Sequence, residues 1–276
     1  METNHTPSDL EKEVLSKLML PPAAPKEEVW EQLQGLLHAT APPSKRKPLL
    51  YWAVAASLAA ALIGGFLRFY QTTVYCPAGT TLSQILPDGS EVQLNAGSSI
   101  SYTPYWWKGN RTLQLEGEAF FKVKKGSKFQ VQSEQGKTEV LGTSFNIYAR
   151  AEDYVVACQT GKVLVTSPYQ DSVYLLPQEK AIWRNQRLEK EPQHPQEMAW
   201  RRQAFSFDNV ALSKVIKELE RQYAIEITLA PNLVKKYQYT GYFKKTKEPK
   251  TALEIISISL GLQFKQTAPQ QYMLFQ

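Results

Sequence analysis

Residues that carry chemistry are scarce in this sequence. Of its 276 residues only two are cysteine and three are histidine. Cys76 and Cys158 form no CxxC pair, which excludes a zinc knuckle or a dithiol redox motif. His194 is the one histidine after position 70, and it lies between prolines. A Ser-His-Asp arrangement needs a base held by packed structure, and a catalytic metal needs a cluster such as HExxH; neither can be assembled. No GxGxxG opens a helix and no GxxxxGK[ST] is present, so no phosphate cradle is legible. Basic residues do not interleave with aromatics, and a net charge of +6 is mild, which argues against a nucleic-acid partner. The 43% hydrophobic and 21% charged content is that of globular protein rather than a disordered chain. No enzyme activity, metal or cofactor is expected. A Ser-Lys pair is the one nucleophilic arrangement that counting leaves open.

One thing is present in abundance: an apolar run, LLYWAVAASLAAALIGGFL, from Leu49 to Leu67. At the helical rise it spans roughly 28 Å, close to the roughly 30 Å hydrocarbon core of a bilayer. A signal peptide has a shorter apolar region and sits at the N-terminus. Tyr51, Trp52 and Tyr70 flank the run as interfacial aromatics do. Residues 49–70 are therefore read as a single transmembrane helix. Lys45, Arg46 and Lys47 precede it and only Arg68 lies close behind, so the positive-inside rule places residues 1–48 in the cytoplasm and 71–276 outside.

The inner piece, 1–48, carries two short helical patterns. Ser8-Asp9-Leu10-Glu11 fits a capping box, and Leu10, Val14 and Leu18 then share a face. Pro25 can start a second helix in which Trp30, Leu33 and Leu37 share another. Two such helices cannot close a core, so their stripes want a partner.

Residues 71–184 alternate apolar and polar in short runs such as EVQLN, TLQLE, FQVQS and YVVAC, which predicts an all-β domain, solenoid-like or sandwich-like. Gly89, Gly117, Gly142 and Gly161 recur beside these strands, as stacked turns or bulges would require. Residues 185–203 are polar with prolines and read as a linker. In 204–276 the order β-α-β-β-α-β-β describes a small α+β domain, with Asp208-Asn209 capping its first helix and Gly261 ending its second.

Four features stay ambiguous at this level. Gly142-Thr143-Ser144 could mark a nucleophile or a tight turn, and in the second case Phe145 and Ile147 face the core. Cys76 and Cys158 could form a disulfide or remain buried thiols. Of Trp106 and Trp107 at least one belongs in the core, because adjacent strand residues face opposite ways. Glu116 and Glu118 share a strand face and are expected to be solvated.

The ordered series LPDGSEVQLNAGSSISY, LEGEAFFKV, FQVQSEQGKTEVLGTSFNIYA, TGKVLVT and YLLPQEKAIW resembles the FecR-type anti-sigma regulators, inner-membrane proteins of Gram-negative bacteria. AWRRQAFSFDNVALSKVIKELERQYAIEI resembles the C-terminal domain of their Bacteroidota members, related to the secretin and TonB short N-terminal fold. The resemblance covers residues 74–276. Gln178 and Gln203 stand where the family usually has glycine. The resemblance implies a single-pass protein, N-terminus cytoplasmic and C-terminus periplasmic, that regulates an extracytoplasmic-function (ECF) sigma factor. Leu10, Val14, Leu18, Trp30, Leu33 and Leu37 would contact that factor. Residues 204–276 would receive the N-terminal signalling domain of a TonB-dependent outer-membrane transporter, with strand addition as the mode and no individual residue marked. Intramembrane and periplasmic proteases are further implied partners. Two other readings are a periplasmic scaffold without sigma control and a membrane-anchored hydrolase built on Ser144.

Overall fold

The computed structural model describes residues 25–37, 47–194, 196–233 and 237–276. The chain divides into two compact units, 1–61 and 62–276. The first contains helix α1, Lys26–Leu37, which follows Pro25 and carries Glu27 and Glu28 in its first turn, where carboxylates complement the helix dipole. Leu10, Val14 and Leu18 lie outside the described residues. Helix α2, Lys47–Phe69, continues into the second unit. Its stretch Leu50–Phe69 has a mean hydropathy of 1.9 and is not buried by the rest of the chain. Among the described residues it is the one helix long and apolar enough to cross a membrane.

Thirteen strands follow: β1 Thr72–Cys76, β2 Leu82–Ile85, β3 Glu91–Leu94, β4 Ser98–Tyr102, β5 Arg111–Lys122, β6 Phe129–Ser133, β7 Gly136–Val140, β8 Ser144–Arg150, β9 Asp153–Thr160, β10 Val163–Thr166, β11 Ser172–Leu175, β12 Glu179–Arg184 and β13 Arg187–Pro192. They form a sandwich whose two sheets share β5. One sheet runs β1-β4-β5-β6-β7-β10-β11 and the other β2-β3-β5-β8-β9-β12-β13. The change of sheet happens at Gly117. Residues 111–116 of β5 pair with β4 and β6, and residues 117–122 pair with β3 and β8. Gly117 has φ +102°, and a Cβ there would lie 2.5 Å from Ser98 Oγ, so the crossing strand needs a glycine. A solenoid would stack parallel rungs, but here only β5 and β6 run parallel. The recurring glycines serve turns and crossings of a sandwich.

Alternation decides what the sandwich seals. Leu113, Leu115, Ala119 and Phe121 of β5 point inward, with Phe129, Val131, Phe145, Ile147, Val156 and Val165 facing them from other strands. Phe121 stacks on Phe145 at 5.1 Å, and Trp107 meets Phe129 edge-on at 5.8 Å. The polar stretch expected to be linker begins later than its composition suggests. Arg187–Pro192 is β13, an edge strand whose charged residues answer those of β12 and keep the edge soluble.

The C-terminal domain comprises β14 Ala204–Ala211, α3 Leu212–Tyr223, β15 Glu226–Leu229, β16 Gln238–Lys244, α4 Pro249–Leu260, β17 Gln263–Ala268 and β18 Gln271–Phe275. Helix α3 buries Leu212, Val215, Ile216 and Leu219, and α4 buries Ala252, Leu253 and Ile256, between a β14-β16 pair and a β15-β18-β17 sheet. Gly261 ends α4 with φ +66°. Asp208 and Asn209 do not cap α3. Strand β14 continues past them through a bulge at Asn209, φ +53°, and the helix starts after Ala211.

Candidate functional site

Two features of the described residues stand out, an exposed helix face and a buried polar joint. The first is α1. Of the residues expected to share its apolar face, Trp30 is 60% exposed and Leu33 is 44% exposed, with Val29 and Leu36 exposed beside them. The spacing of Val29, Leu33 and Leu36 is that of a helix-in-groove ligand.

The second is the joint between the sandwich and the C-terminal domain. Phe120 and Glu118 project from the outer face of β5, yet they are 5% and 6% exposed. Glu116, on the same face, is exposed as its alternation predicts. Glu118 departs from the expectation of a solvated carboxylate because a second domain covers its part of the sheet. Its Oε2 accepts from Asn95 Nδ2 at 2.8 Å and its Oε1 from Asn146 Nδ2 at 2.9 Å. Both amides are oriented from across the joint. Gln222 of α3 donates to Asn95 Oδ1 at 2.7 Å, and Trp200 Nε1 donates to Asn146 Oδ1 at 3.3 Å. Gln222 in turn donates to Glu218 Oε1 at 3.0 Å and accepts from Lys245 Nζ at 3.2 Å. Arg221 clasps the other Glu218 oxygen at 2.6 Å.

The electrostatics follow from that burial. Desolvation, then the nearby Glu218 charge, pushes the Glu118 carboxyl up to about 7, against the pull of Arg150, Asn146 and Asn95. Desolvation, with Arg221 close by, lowers Arg150, whose guanidinium donates to the Gly97 and Ala96 carbonyls at 3.0 and 2.8 Å. Burial also lowers Lys245 and raises Tyr148 to about 12.

An apolar patch completes the joint. Met198 and Trp200, on the segment between β13 and β14, pack on Phe120 and Ala157, and the Arg201 guanidinium lies 3.4 Å over the Phe120 ring. Gly79 N donates to Arg221 O at 2.7 Å, and Lys214 pairs with Asp153 at 2.6 Å. The signal for this site was in the sequence only as unspent polar residues, Asn95, Asn146 and Gln222, inside apolar patterns.

The remaining motifs resolve into structure. Gly142 has no left-handed φ; it passes so close to the Lys125 backbone that a Cβ would lie 2.6 Å from Lys125 Cα. Thr143 is buried, and Ser144 N donates to Thr160 Oγ1 at 2.9 Å, opening β8. Phe145 and Ile147 are fully buried. Gly89 and Gly161 adopt φ +76° and +78°. Cys76 and Cys158 are both free and fully buried, and burial raises the Cys158 thiol to about 11, an unreactive state. Among the described residues no cluster of His, Cys, Asp and Glu could hold a metal. In the C-terminal domain, β15 and β17 are the edges of one sheet and β14 and β16 are each paired on one side only.

Comparison with known proteins gives a consistent picture. The family model for the FecR protein matches residues 72–164, and that for the FecR C-terminal region matches residues 204–272. The chain is similar to a candidate anti-sigma factor from Parabacteroides distasonis in two crystal structures. In the first the identity is 32% and the TM-score 0.70, covering 75% of this chain and 99% of the other. In the second the identity is 32% and the TM-score 0.69, covering 74% and 99%. No curated protein matches the chain.

Proposed function

Because the chain belongs to the FecR family of anti-sigma factors, we propose that it relays a signal from the periplasm to an ECF sigma factor in the cytoplasm. Helix α2 crosses the inner membrane once, with the cations ahead of it on the cytoplasmic side. Residues 1–48 hold the sigma factor through the faces carrying Leu10, Val14 and Leu18 and then Trp30, Leu33 and Leu37. The C-terminal domain receives the N-terminal signalling domain of a TonB-dependent transporter by strand addition to one of its open edges. The joint passes the event on to the sandwich, since Gln222 and Trp200 hold the amides that hold Glu118.

The observation that carries this reading is the exposed stripe of α1. An isolated twelve-residue helix is marginal, and burial of Trp30 and Leu33 in a partner's groove supplies what its own chain, among the described residues, does not. The test uses the full-length protein in detergent and its cognate sigma factor. A central aromatic anchor is worth about 2 kcal/mol or more, so Trp30→Ala weakens the complex about 30-fold, measured by interferometry. Unchanged affinity would overturn the assignment of α1.

A further inference from the structure

The fold separates Trp106 from Trp107. Trp107 is 2% exposed, with its ring edge-on to Tyr102 at 5.4 Å and to Phe129 at 5.8 Å. Trp106 is 48% exposed and Tyr105 62%. Both stand on the short 3-10 turn Pro104–Trp106 between β4 and β5. These two rings also touch the C-terminal end of α2. The Tyr105 ring lies 5.6 Å from that of Tyr70, and the Trp106 ring 5.7 Å from the Arg68 guanidinium. Lys108 is exposed on the same loop.

A tyrosine, a tryptophan and two cations gathered at the end of a membrane helix have the composition of an interfacial belt. The rings are amphipathic and settle at headgroup depth, and the cations face lipid phosphates. Continuity with α2 identifies what covers the loop. A bilayer crossed by Leu50–Phe69 has its headgroups beside Arg68 and Tyr70, where Tyr105 and Trp106 are held.

We propose that the Pro104–Lys108 loop is a second membrane contact, through which Tyr105, Trp106 and Lys108 seat the sandwich on the lipid headgroups around the end of α2. Trp107 makes the seat stiff. Locked into the core, it ties the loop to β4 and β5, so the sandwich is held at one end against the bilayer and does not swing on a tether.

The full chain in nanodiscs of phosphatidylcholine and phosphatidylglycerol tests this by nitroxide accessibility. Gly109→Cys carries one label, because a side chain there meets only the Trp106 carbonyl at 3.8 Å and Lys108 is retained. The native thiols are buried and do not compete for label. Glu134→Cys in the β6–β7 turn is the control. The parallel register from Arg111–Phe129 to Gln114–Gln132 carries that turn to the opposite end of the sheet, on the order of 15 Å from the loop. The expected result is a label at 109 that is relaxed by oxygen but shielded from a water-soluble nickel chelate, unlike the label at 134. Tyr105→Ser with Trp106→Ser abolishes the shielding. A label at 109 as open to nickel as that at 134 overturns the proposal, as does shielding that survives the double substitution.

Discussion

The space between the two sheets and the joint outside β5 are buried to similar depth by opposite means. Between the sheets lie Phe121, Phe129, Phe145 and Ile147, with no carboxylate among them. In the joint, a few residues along the same strand, Glu118 is enclosed with Asn95, Asn146 and Gln222. The apolar core gains from every ring it buries. The joint sets the desolvation of a carboxylate against the two amide hydrogen bonds it accepts and the bonds from Gln222 and Trp200 that hold those amides, so its net worth is small and depends on conditions. One region can fix a fold and the other can change state without unfolding it.

Damage to the core should cost the most stability. Phe121→Ala removes a ring stacked on Phe145 and leaves a cavity that rigid strands cannot close. A cost of about 3–5 kcal/mol is expected, a fall of roughly 10 °C in the thermal midpoint of the second unit. The joint should be lost in the same transition, since its floor is the outer face of β5. A calorimetric trace in which the C-terminal domain melts at its unaltered temperature would show the two regions to be independent.

The joint should respond to pH where the core does not. The closed joint raises the Glu118 carboxyl from its ordinary value of 4.5 to about 7, and opening the joint should return it toward 4.5. A group whose pKa is raised on closing holds its proton in the closed form. Closure is therefore favoured fully below about 4.5, and that advantage is lost as pH rises through about 7, a change of about 3 kcal/mol. The charged and titratable groups that face it are Glu218, Arg221 and Lys245 from the C-terminal domain and Arg150 and Tyr148 from the sandwich. Amide exchange in α3, corrected for its intrinsic pH dependence, should show more opening at pH 8 than at pH 5. In Glu118→Gln that slope disappears, while amides beneath Phe121 are unaffected in both proteins. A slope that persists in the variant would assign it to another group.

How far each region was legible follows from the same contrast. Strand alternation put Phe145 and Ile147 in the core, because a period of two is a property of neighbouring residues. The same period placed Glu116 and Glu118 on one face, correctly, but could not tell that only Glu118 is covered. The cover, Trp200 and Gln222, lies roughly 80–100 residues further along the chain, and no local pattern encodes that meeting. The sandwich was ambiguous with a solenoid for a related reason. Glycine spacing marks turns, whereas the shared β5 depends on the crossing at Gly117. Helix α1 was readable as a stripe, and among the described residues nothing covers it. The linker was read too long because β13 is an edge strand, polar on both faces.

The smallest expected effect separates the two regions by backbone alone. Gln178 and Gln203 both adopt left-handed φ, +68° and +52°, a conformation that favours glycine. Glycine relieves about 1 kcal/mol of strain there but gives the unfolded chain more freedom, worth roughly 0.5–1 kcal/mol. Gln178 sits in the turn between β11 and β12, clamped by its N–H to Cys158 O at 2.9 Å and its carbonyl to Gln193 N at 2.7 Å. Gln178→Gly should move the thermal midpoint by no more than about 2 °C and leave exchange in α3 as it was. Gln203 is the pivot of the joint, receiving Lys245 N at 2.8 Å just after Trp200. Gln203→Gly should change the midpoint as little, yet raise the opening rate of α3, because glycine gives the segment carrying Trp200 more freedom once the joint opens. Equal exchange in the two variants would mean that the joint is held by its side chains alone.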